Sequence, residues 1–113
     1  MRELNEQQAM ALEQFEHVSC ALFLYTPLCG TCAAASKMLD ILEAMDDQLA
    51  LYACNINLAP QLAQEWKIES VPCIAVIHHG RIVEKIYAIR SVPSLYECFT
   101  RHGLMKKREQ DAN

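Results

Sequence analysis

No apolar run in this sequence approaches the roughly 20 residues that a membrane-spanning helix needs. The first residues, Met1 to Glu6, lack the apolar centre of a secretory signal. Positive charge is not in surplus either. The formal net charge is −4, which removes the electrostatic basis for binding nucleic acid or an anionic membrane. The short basic run Lys106-Lys107-Arg108 is followed at once by Glu109 and Asp111 and reads as solvated. Internal repeats, linkers and low-complexity stretches are missing as well. What remains is one globular domain over residues 1–113, with a polar, flexible tail from about residue 106. It is expected to be a cytoplasmic monomer.

Cysteine, by contrast, is plentiful: there are six. In a compartment that keeps thiols reduced, six cysteines do not imply three structural disulfides. They imply buried thiols, a metal site or transient redox chemistry. Cys29 and Cys32 lie in the stretch Tyr25-Thr-Pro-Leu-Cys-Gly-Thr-Cys32. At this cysteine density chance alone supplies roughly 0.3 pairs of that spacing, so the context has to decide among these meanings.

That context is regular. Asn5 with Gln8 forms a capping-box pattern, predicting a helix over about 6–17. Val18 to Tyr25 is short and nearly all apolar, as in a strand buried on both faces. From Cys32 to Asp46 the apolar spacing is helical and rich in alanine and methionine. A second buried strand is expected over 49–56, then a short helix from Pro60 to about Trp66. A strand follows over 73–77, a turn at His78-His79-Gly80, and a returning strand over 82–89. Pro93 opens a last helix, with Leu95, Cys98, Phe99 and His102 on one face and Gly103 as its stop. The order α-β-α-β-α-β-β-α makes a mixed central sheet with helices on both faces, an α/β fold.

This order, with Cys-x-x-Cys between the first strand and its helix, resembles the thioredoxin family. Further motifs agree. Val71-Pro72 stands 43 residues after Cys29 and just before the third strand, where that family has a cis proline beside its redox pair. Asn55-Ile56-Asn57 is similar to the family's Asn-Ile-Asp strand end, and Gly80 to its hairpin glycine. The resemblance runs over about 10–102. The departures are equally specific. Leu28 stands where the family has tryptophan before the pair, and Thr31 where it has proline. Tyr25 replaces another aromatic. Phe23 replaces the buried aspartate and Ala53 its companion lysine. The N-terminus also looks too short for a full extra edge strand. The chain therefore resembles a divergent, thioredoxin-like member.

The resemblance implies a thiol–disulfide oxidoreductase that reduces protein disulfides and needs no cofactor beyond the Cys29–Cys32 disulfide itself. Its electrons would come from a thioredoxin-reductase-type donor. Cys29, at a helix start, would be the attacking thiolate, because free N–H groups and the helix dipole favour an anion there. Cys32, one turn deeper, would resolve the mixed disulfide. Gly30 and Thr31 let the loop turn, and Val71, Pro72 and Leu28 would meet the substrate chain. With Phe23 in place of an acid, resolution is expected to be slow. Cys20, Cys54 and Cys98 fit buried core positions. Cys73 follows Pro72 directly; burial is the first reading there too, and a candidate third thiol of the site is the alternative. His78 and His79 read as exposed turn residues, and His17 and His102 as helix-end cations. Two other functions stay open. One is metal or iron–sulfur binding through Cys29, Cys32 and Cys73, although a second Cys-x-x-Cys is absent. The other is a non-catalytic interaction module. A glutaredoxin-like reading lacks both a Cys-Pro-Tyr-Cys loop and a Gly-Gly after the third strand.

Overall fold

The computed structural model describes residues 1–107. The tail expected from about residue 106 lies, beyond Lys107, outside the described residues. The elements are β1 (Arg2–Glu3), α1 (Glu6–Ala11), β2 (Cys20–Tyr25), α2 (Gly30–Met45), β3 (Leu51–Asn55), α3 (Pro60–Glu65), β4 (Cys73–His78), β5 (Arg81–Ile86) and α4 (Val92–Arg101). The sheet order is β1-β3-β2-β4-β5. β3 runs parallel to β1 and β2, whereas β4 is antiparallel to β2 and β5.

Strand alternation divides the core in two. From β2 and β4, Ala21, Phe23, Ile74 and Val76 face α2 and α4 and pack on Leu39, Leu42 and Phe99. Cys20, Leu22, Leu24, Cys73, Ala75 and Ile77 face the other way, onto Ala9, Leu62 and Trp66 of the α1–α3 layer. Both faces of the central strands are therefore covered, which is why their sequences are continuously apolar. Burying a side chain such as Leu22 or Phe99 is worth about 1.5–3 kcal/mol over leaving it exposed.

Local chemistry sets the element ends. Asn5 Oδ1 accepts the Gln8 N–H at 2.8 Å, and Gln8 Oε1 accepts the Asn5 N–H at 2.9 Å, closing the capping box. Losing such a cap costs about 0.5–2 kcal/mol. Glu6 Oε2 also accepts the N–H groups of Gln61 and Leu62, at 2.7 and 3.1 Å, so α1 caps α3. The first helix stops well before residue 17: after Ala11 come one 3-10 turn, Leu12–Gln14, and an extended Phe15. The β4–β5 hairpin holds the chain there, with Gly80 N–H donating to Val18 O at 2.8 Å. His79 N–H donates to Ser19 Oγ at 3.1 Å. β5 ends at Ile86, opposite Ile74, rather than at residue 89. Further pairing would soon meet Pro72, which has no N–H to give. An edge strand does precede α1, reduced to the two residues of β1.

Candidate redox site

The apolar β2 delivers the chain to one end of the sheet, where Thr26-Pro27-Leu28 leads into α2. The helix begins at Gly30, two residues before the position expected, because Cys29 is itself the N-cap. Its backbone is extended, at φ −139° and ψ 109°. Its Sγ accepts the Cys32 N–H at 3.2 Å and lies 3.4 Å from Thr31 Oγ1. A sulfur thus takes the place that a serine or aspartate oxygen usually holds at a helix start. The environment favours its anion. The Cys32 thiol first, then the Thr31 hydroxyl, hold the Cys29 thiol below the ordinary value by hydrogen bonding. Cys32 goes the opposite way: burial first, then its hydrogen bond with Cys29, pushes its thiol up. Both are free thiols in this structure.

Around the pair, Leu28 is fully exposed at the rim. The Val71–Pro72 peptide is cis. Val71 and Cys29 both border the cluster that contains Cys32. Beneath the pair is a cavity of about 290 Å³, lined by Cys29, Cys32, Phe23, Ala53, Tyr25 and Glu3. Tyr25 stacks on Phe23 at 5.6 Å and donates its hydroxyl to the Glu3 carboxylate. That hydrogen bond is the first cause raising the Tyr25 hydroxyl to about 12, followed by burial.

A thioredoxin family model matches residues 5–101. The chain belongs to the thioredoxin family. It is 41% identical to the thioredoxin-like protein YusE of Bacillus subtilis, over all of this chain and 98% of that one. It is 26% identical to the thioredoxin of Bacillus subtilis, over 84% of this chain and 91% of the other. Solved structures agree on the thioredoxin fold. A mutant thioredoxin from Halobacterium salinarum superposes with a TM-score of 0.77 at 14% identity, over 94% of this chain and 93% of that one. Malassezia sympodialis thioredoxin gives 0.78 at 15% identity, over 90% of each.

Against the thioredoxin pattern, Phe23 and Ala53 stand side by side in register on β2 and β3. They replace the aspartate–lysine pair with apolar wall. Glu3, which sequence reading missed, brings a carboxylate to the same cavity from β1, where it pairs with Ala53. The only hint of it in the sequence is an acidic residue next to Leu4, too little to suggest a strand. Cys73 takes the buried role expected of it first, not that of a third thiol in the site. Although it follows Pro72, its side chain belongs to the α1–α3 face, whereas Cys32 lies on the α2–α4 face. The sheet therefore separates Cys73 from Cys32, and a three-thiol site built on adjacency to Pro72 is not what the packing makes. Cys20, Cys54 and Cys73 are all buried, and burial pushes each thiol up to about 11. His78 and His79 are exposed at the hairpin tip, the His79 ring held at 3.1 Å from Glu16 O. No helix among the described residues is long and apolar enough to cross a membrane.

Proposed function

We propose that this thioredoxin-family protein reduces protein disulfides, with Cys29 attacking and Cys32 resolving. Family membership supports thiol–disulfide oxidoreductase chemistry in general. The observation that carries the finer reading is the asymmetry of the pair. One sulfur is accessible and stabilised as an anion at a helix N-cap; its partner, one turn on, is buried and held protonated. The Cys29 thiolate attacks one sulfur of a substrate disulfide, forming a mixed disulfide and releasing the first substrate thiolate. Cys32 then loses its proton and attacks Cys29 Sγ, releasing the second. The substrate gains two electrons and the protein becomes the Cys29–Cys32 disulfide. A thioredoxin-reductase-type dithiol donor would return it to the reduced state, in a reducing compartment such as the cytoplasm.

Gly30 and Thr31 shape the turn between the sulfurs. The exposed Leu28 offers an apolar rim, and the cis Val71-Pro72 loop would offer its backbone to the substrate chain. Glu3, which lines the same cavity as Cys32, would take the Cys32 proton in place of the acid that Phe23 displaces. Insulin reduction with dithiothreitol as donor tests the reading. Wild type is expected to turn over, Cys29→Ser to lose activity to background, and Cys32→Ser to accumulate a mixed disulfide through Cys29. Absence of wild-type turnover, or trapping through another cysteine, would refute it.

A further inference from the structure

Sequence alone reads Cys98 as a core thiol and His102 as a helix-end cation. In the fold they meet a third side chain. They stand four residues apart at the end of α4, so they lie one above the other on one helix face. That face packs on β5, where Glu84 points up between them. Glu84 Oε1 lies 2.7 Å from His102 Nε2 and 3.8 Å from Cys98 Sγ. The three donor atoms all fall within 4.8 Å of one another. No other group of three such side chains among the described residues is gathered this closely.

We propose that Glu84, Cys98 and His102 form a binding site for a divalent transition-metal ion of the zinc type, independent of the Cys29–Cys32 pair. One thiolate, one imidazole and one carboxylate are the donor types that suit zinc; calcium and magnesium would require oxygen throughout. The geometry is near what such an ion needs. Tetrahedral bonds of about 2.0–2.3 Å separate an imidazole nitrogen and a carboxylate oxygen by about 3.4 Å, and a sulfur and that oxygen by about 3.6 Å. The observed 2.7 and 3.8 Å bracket these values. The Glu84–His102 contact has to open by about 0.7 Å for the ion to enter. Cys98 is 6% exposed, while Glu84 and His102 are partly accessible, so the soft donor is sheltered and the ion enters from solvent. Three protein donors leave the fourth position to water. On binding, the Cys98 proton passes to solvent.

An ion pair alone would explain Glu84 with His102. It does not need a thiol as its third wall. The group opposing the ion is Arg101, whose Nη1 lies 3.4 Å from both Glu84 Oε1 and His102 Nε2. Its side chain is 58% exposed and can swing into water. Arg101 therefore competes with the metal, and removing it should tighten binding rather than weaken it. A bound ion would tie the last turn of α4 to the edge strand β5.

The reduced full-length protein, titrated with Co²⁺, tests this through the near-ultraviolet thiolate-to-cobalt charge-transfer band, with Zn²⁺ as the displacing ion. The expected result is one band per protein that survives in Cys29→Ser/Cys32→Ser and is abolished in Cys98→Ser. Affinity should fall at least tenfold in His102→Ala and Glu84→Gln, and rise severalfold in Arg101→Ala. His102 and Glu84 are partly exposed, so those two variants keep the test valid if Cys98→Ser does not fold. A band that disappears in the Cys29→Ser/Cys32→Ser protein would assign the metal to the redox pair and overturn the proposal. So would no band in wild type, or binding indifferent to His102→Ala and Glu84→Gln.

Discussion

Cys29 and the three strand thiols show one element in two opposite environments. Cys29 sits at a helix N-cap, accepts a backbone N–H and is driven toward the anion. Cys20, Cys54 and Cys73 sit in adjacent strands, are 0–1% exposed, and are driven toward the neutral thiol. Nothing in the side chain differs. What differs is whether hydrogen-bond donors (the Cys32 thiol first, then the Thr31 hydroxyl, then backbone N–H groups) or packed hydrocarbon surround the sulfur. Reactivity in this chain is therefore a property of where the backbone ends a strand and starts a helix.

The sharpest way to break that contrast is alkylation of the reduced protein. At neutral pH, Cys29 is expected to react with iodoacetamide at least about a hundredfold faster than Cys20, Cys54 or Cys73. Its rate should rise with pH through a midpoint below the free-thiol value of about 8.5. Peptide mass spectrometry against time and pH reads both. A Cys29 midpoint at or above the ordinary value would remove the N-cap argument.

A smaller effect belongs to the buried members. Their folded values lie near 11, while the unfolded thiols ionise near about 8.5. Between these limits the unfolded chain has shed protons that the folded one keeps, so stability falls as pH rises. This contribution is intact below about pH 8.5 and lost as pH approaches 11. Urea unfolding should show a lower midpoint at pH 10 than at pH 8, with a gentler fall in Cys54→Ala. Equal falls in the two proteins would mean that other groups set the slope.

The least effect is expected inside the cavity. Glu3→Gln should slow resolution of the mixed disulfide severalfold while leaving the initial attack by Cys29 unchanged. Stopped-flow tryptophan fluorescence of Trp66, or quenched-flow trapping, separates the two steps. If resolution in Glu3→Gln matches wild type, the proton leaves to water. Phe23→Asp then asks whether an acid at the family position accelerates what Glu3 does not.

The fold was readable because its signals are local. A two-face-buried strand is a continuous apolar run, as in Cys20–Tyr25, and a helix declares its cap, as Asn5 does with Gln8. The ends were less readable. Phe15 and His17 continue a helical spacing, but contacts from the distant hairpin stop the helix before them. Cys29 and Cys32 could be picked out because strand, pair and helix are contiguous. Glu3 could not, because it enters through a two-residue strand paired with β3, half the chain away. Cys73 shows why the third-thiol alternative fails while burial holds. Adjacency to Pro72 in sequence says nothing about which face a strand residue takes, and alternation turned it away. The Glu84–Cys98–His102 grouping depends on how α4 lies against β5, which no local pattern encodes.

Gly80 and Gly103 have nearly the same left-handed backbone, at φ +75° and +76°. They would nevertheless fare differently in a saturation library. At 80, a Cβ would stand 2.5 Å from Phe15 O, so even residues that tolerate that backbone are shut out by the main chain they would strike. At 103 nothing lies within 4 Å, and asparagine could serve. One position admits a single codon family because two independent constraints coincide; the other is merely a preference. The hairpin corner is therefore among the least negotiable points of the chain, though it takes no part in the chemistry.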